Sequence, residues 1–129
     1  MAKRKKTWVE KSNYTLADNA ELIDHLEYAV YQTCKRLGWD MGRTREGDNF
    51  RKVEAWKPSN DGQHALANVD IAFDLNQPGK LYRRFERYTI EPLADCDSQQ
   101  KDNAAFILAL DSEIQQTLDE WGKKHGQAE

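Results

Sequence analysis

A chain of 129 residues with a formal net charge of −3 is long enough for one domain with its own core and too short for two. Its residues are 39% hydrophobic and 32% charged, and the four Trp, five Tyr and four Phe supply core material, which excludes the disordered class. No apolar run approaches the ~20 residues needed to cross a bilayer, so no membrane role is expected. Cys34 and Cys96 lie too far apart for a CxxC motif and are too few for a disulfide framework.

Charge is segregated along the chain. Residues 1–11 sum to +4, residues 41–58 and 81–88 to +2 each, and residues 89–129 to −6. Met1 to Lys6 has the cations of a signal peptide, but Thr7-Trp8-Val9 runs straight into Glu10 and Lys11 with no apolar stretch, so the expected location is cytoplasmic. The organisation read from these patterns is a basic N-terminal arm over residues 1–14 with room for a short strand, one domain over 15–122, and a polar tail over 123–129.

In chain order, the first strong element is a helix from about Asp18 to Leu37. Leu22, Leu26, Val30, Thr33 and Leu37 recur at three- and four-residue spacing, and Ile23, Ala29 and Cys34 widen the stripe. Asp18 with Glu21 has capping-box spacing, Gly38 suits a left-handed stop, and Trp39 is placed to fold back on Cys34. Cys34, on the apolar side, is expected to act as a small core hydrophobe. Gly42 to Asn49, rich in charge and glycine, reads as a loop, and Phe50 to Lys57 as a strand. Ala65, Ala67, Val69, Ile71, Phe73 and Leu75 then alternate with polar residues, the period-two pattern of a half-buried antiparallel strand. Asn76 to Gly79 is a turn, and Leu81 to Ile90 returns as a strand, although Leu81, Tyr82, Phe85 and Tyr88 also fit a helical spacing. A second helix runs from about Ser98 to Trp121 on Ile107, Leu110, Ile114, Leu118 and Trp121, with Asp97 and Gln100 at its start. Gly122 sits where a helix would stop, with Lys123 and Lys124 beyond it.

The expected fold is therefore α+β, with order (β)-α-β-β-β-α and two amphipathic helices on one face of an antiparallel sheet. Double-stranded RNA-binding domains and ribosome-hibernation factors share this order, and Gln99 to Ala105 superficially resembles the start of the second helix in the former. Both families carry basic helices, whereas here a single Lys101 stands beside Asp97 and Asp102. The resemblance is one of topology, and no family is assigned from it.

Phosphate-loop, dinucleotide, zinc-protease and serine-hydrolase signatures are absent from the sequence, and no cofactor, metal site or catalytic residue is assigned. Three readings of function stand. The first is a non-enzymatic module that binds single-stranded nucleic acid. Tyr82-Arg83-Arg84-Phe85-Glu86-Arg87-Tyr88 interleaves rings and arginines, and Lys52 shares strand parity with Trp56. Lys3, Arg4, Lys5 and Lys6 would add phosphate contacts. The second is a protein-binding inhibitor or adaptor using Asp111, Glu113, Asp119 and Glu120 of the acidic second helix. The third is a hydrolytic enzyme centred on His64, with Asp70 and Asp74 of the same parity; those two carboxylates would lie ~13 Å apart along a strand, too far to share one ion. Partner identity and oligomeric state are left open.

Overall fold

The computed structural model describes residues 3–15, 21–47, 49–63, 65–76, 80–91 and 96–125. Strand β1 (Lys3–Thr15) is followed by α1 (Leu22–Leu37), then β2 (Asp40–Gly47), β3 (Phe50–Pro58), β4 (Ala65–Asp74) and β5 (Lys80–Glu91), and finally α2 (Cys96–His125). All strand pairings are antiparallel, and the sheet order is β1-β5-β4-β3-β2. Helix α1 carries the chain from one edge of the sheet to the other. It packs on β2 and β3, while α2 packs beside it on β4 and β5. The α+β class and the helix-covered antiparallel sheet agree with the sequence reading.

The core lies between the helices and one sheet face. Leu22, Leu26 and Val30 of α1 and Phe106, Leu110 and Ile114 of α2 are fully buried against Val53, Val69, Ile71, Phe73, Leu81 and Phe85. Trp39 closes one end, its ring stacked on Phe106 at 4.3 Å between centroids. Its backbone N–H donates to the Cys34 carbonyl at 2.8 Å, closing the end of α1, while its ring packs on Phe106. Gly38 has φ 75°, a left-handed value that a Cβ would strain.

Four expectations need correction. The charged, glycine-rich run from Gly42 is the edge strand β2, whose outer side has no neighbour among the described strands and whose residues are mostly exposed. Such a strand has no buried face to impose alternation, so its composition reads as a loop. Residues 3–15 form a thirteen-residue strand along the whole of β5 rather than an arm with a short strand. Gly122 does not stop α2, which continues to His125; Gly122 and the neighbouring Trp121 are buried, and that packing outweighs the ~1 kcal/mol helix penalty of glycine. Helix α2 begins at Cys96, so Asp97 lies inside its first turn rather than at its cap. Asp18 lies outside the described residues, and the residue preceding α1 is Glu21, with no side-chain capping bond.

Candidate functional site

Both helices pack on one face of the sheet. Among the described residues no helix covers the other face, although its central residues Asn68, Asp70, Ala72 and Glu86 are buried, and strand register builds it in rows. Residues paired across antiparallel strands project to the same face, with successive rows on that face ~6.8 Å apart along the strands. One row runs Gly42, Glu54, Asp70, Glu86, Val9, and places three carboxylates on three adjacent strands. The next runs Arg45, Lys52, Ala72, Arg84, with Lys11 at the edge register position. Aromatic residues flank this charged pair of rows. On the acidic side Trp56 pairs with Asn68, which pairs in turn with Tyr88; on the basic side Phe50 and Tyr82 both pair with Asp74.

Like charges directly opposite one another cost stability. The acidic row persists because donors lie beside each member. Asn68 Nδ2 donates to Glu54 at 3.3 Å, Lys52 Nζ stands 3.8 Å from Asp70, and Arg84 Nε lies 3.0 Å from Glu86. Asp70 and Glu86 are sunk between the longer neighbours, while Lys52, Glu54, Trp56, Tyr82 and Arg84 are half-buried and present their outer atoms to solvent.

The residues expected to bind nucleic acid divide between the faces. Lys52, Trp56, Tyr82 and Arg84 share the open face. Arg83 is on the helix face, where it is buried, pairs with Asp111 of α2, and lies over the Phe85 ring at 4.4 Å. The backbone of Lys3, Arg4, Lys5 and Lys6 pairs with Glu91, Ile90, Thr89 and Tyr88; Arg87 pairs with both Trp8 and Val69. The four carboxylates of the protein-binding reading are also split. Asp111 is taken by Arg83 and Glu113 by Arg36 across the helix pair, while Asp119 and Glu120 are exposed. His64 lies outside the described residues, and Asp70 and Asp74 sit in different rows.

Between α1 and β2 lies an open hollow of about 310 Å³ lined by Asp24, Glu27, Tyr28, Tyr31, Met41 and Arg43. Its carboxylates are committed: Arg51 pairs with Asp24 and Glu27, and Arg43 with Glu27 and Glu46. Burial works against the charge of Arg51, but hydrogen bonds to Glu27 and Asp24 outweigh it, so its pKa rises above the ordinary value. Among the described residues no group of His, Cys, Asp and Glu could hold a metal ion, and no helix is long and apolar enough to cross a membrane.

The acidic row escaped sequence reading because parity within one strand does not reveal what the next strand sets opposite. Only the register aligns Glu54, Asp70 and Glu86.

No protein-family model matches the chain, and no curated protein matches it. Several solved structures resemble it distantly. The vertebrate conserved region of human METTL16 has a TM-score of 0.42 at 8% identity, covering 81% of this chain and 98% of that one. A putative uncharacterized protein from Rhizobium leguminosarum has 0.43 at 9%, covering 90% and 99%. The Mll3558 protein from Rhizobium loti has 0.40 at 10%, covering 90% and 98%. Likeness at this level assigns no function.

Proposed function

We propose that this chain is a small non-enzymatic interaction module that binds single-stranded nucleic acid along the β1–β5 side of its sheet. The observation that carries the reading is the partition of charge. Leaving aside Arg83, which is buried on the helix face and paired with Asp111, these two paired strands hold eight basic and three acidic residues, a net of +5 in a chain of net −3. Two extended strands ~40 Å long offer an extended polyanion a matching line of cations. Tyr82, beside Arg84 on the open face, supplies a ring on which a base can stack. The negative remainder of the surface makes the attraction local rather than long-range.

Fluorescence anisotropy of a mixed-sequence single-stranded oligonucleotide is the test. Affinity should fall steeply with salt, with a slope of about −0.7 per phosphate contact. It should largely vanish when Lys3, Arg4, Lys5 and Lys6 are together replaced by Ala. No binding at tens of micromolar protein and low salt sinks this reading. A protein partner at the exposed Asp119 and Glu120 then becomes the leading alternative, tested by whether their amide variants abolish complex formation.

A further inference from the structure

We infer that the open sheet face is the contact surface for a second copy of this chain. A two-fold interface must be self-complementary, because each patch meets its own image. The rows of this face meet that requirement about one axis. Place a two-fold axis in the plane of contact, running across the strands midway between the acidic and basic rows. Each strand then faces the same strand of the second copy in the opposite direction, and each acidic row lies on a basic row.

On β3, Glu54 faces Lys52 of the second copy; on β5, Glu86 faces Arg84; on β4, Asp70 faces the small Ala72. The flanking rows also match, since Trp56 falls opposite Phe50 and the Tyr88 register position opposite that of Tyr82. An axis along the strands instead would stack the acidic row on itself. Charge complementarity therefore selects both the occupant and its orientation. Packed sheets stand ~10 Å apart and cross at about 30°, so the matching is tightest over β3, β4 and β5 at the centre.

Five strands ~4.8 Å apart and four rows ~6.8 Å apart give roughly 650 Å² per copy. With Asn68, Asp70, Ala72 and Glu86 already buried in the single chain, the accessible area removed is smaller than this outline and well below the ~800 Å² of a standard interface, which suits a weak, reversible dimer. The same axis sets β1 beside β1, so both basic edge strands fall on one side of the pair. The inference rests on this face alone; because the contact covers Tyr82 and Arg84, self-association and base stacking on that face exclude one another, and the test is therefore made without oligonucleotide.

Sedimentation velocity of the full chain without oligonucleotide, from micromolar to several hundred micromolar at physiological ionic strength, is the test. The mass should rise from 15.0 kDa towards twice that value. Lys52→Glu and Glu54→Lys should each weaken self-association about tenfold or more, because symmetry places every substitution in the contact twice. Mixed together, they should form a one-to-one dimer, since each supplies the charge the other lacks. The double variant Lys52→Glu/Glu54→Lys exchanges the two signs on one strand and should dimerise like the parent; it also covers the case in which a single variant fails to fold. A parent chain monomeric at every concentration overturns the inference. So does a mixture or double variant that stays monomeric, or a Lys52→Glu variant that dimerises unchanged, which would place the contact at a sheet edge.

Discussion

Replacing Arg83 by Met keeps most of its aliphatic stem and removes the guanidinium, whereas replacing Asp111 by Ala keeps the guanidinium and removes its partner. The Arg83 side chain is 5% exposed and that of Asp111 50% exposed. Removing one partner of a fully buried charge costs ~3–5 kcal/mol, but water reaches the half-exposed Asp111 side and the guanidinium keeps its other contacts, so the expected loss for Asp111→Ala is ~1–2 kcal/mol. Arg83→Met forfeits the ion pair and the contact with Phe85, itself worth ~0.5–2 kcal/mol, yet also removes the cost of burying a charge. Its net effect should stay within about 1 kcal/mol of the parent. The less buried residue is thus the more costly one to delete. Urea unfolding followed by tryptophan fluorescence resolves the difference, because with m near 1–3 kcal/mol/M a loss of about 1.5 kcal/mol moves the midpoint by roughly 0.5–1.5 M. An unchanged midpoint for Asp111→Ala, or a loss above about 3 kcal/mol for Arg83→Met, would refute the burial of this guanidinium against α2. Arg83→Met should also leave oligonucleotide affinity nearly intact, since the side chain lies on the helix face.

Ile114 of α2 is fully buried, so Ile114→Ala should cost ~2–5 kcal/mol in the same assay; a change below about 0.5 kcal/mol would mean that α2 packs elsewhere. The Cys34 thiol is pushed up to about 12, first by burial and then by the nearby charge of Asp40. It is therefore neutral at pH 7–9, and site-resolved alkylation of the native protein should leave it unmodified until denaturant is added; rapid labelling in native buffer would contradict its burial.

The helices were legible because each presents one apolar stripe to one partner, and β4 because its helix-facing residues alternate without interruption. Edge strands carry no such signal. No residue of β2 is buried, and the lysine-rich start of β1 has the composition of a solvated tail. The basic cluster was legible as a cluster but not as a surface. Arg83 and Arg84 are neighbours in sequence and lie on opposite faces, and Arg83 is neutralised by a carboxylate that sequence reading had assigned to a rival site. Side-chain parity separates the faces of one strand, whereas partnership between a strand and a helix 28 residues away depends on packing.

The pairing of β1 with β5 has a consequence for how the domain is made. On a ribosome β1 emerges before the other strands, yet its hydrogen-bonding neighbour is some 75 residues downstream, a delay of about 4–15 s at ordinary synthesis rates. Until then it is an unpaired strand with open amides and carbonyls. Its run of like charges repels other nascent copies during that wait, as lysines do on exposed edges. The remaining strands form a meander with short connections that can assemble as each pair becomes available, so closure of β1 onto β5 is the long-range step expected to limit the folding rate.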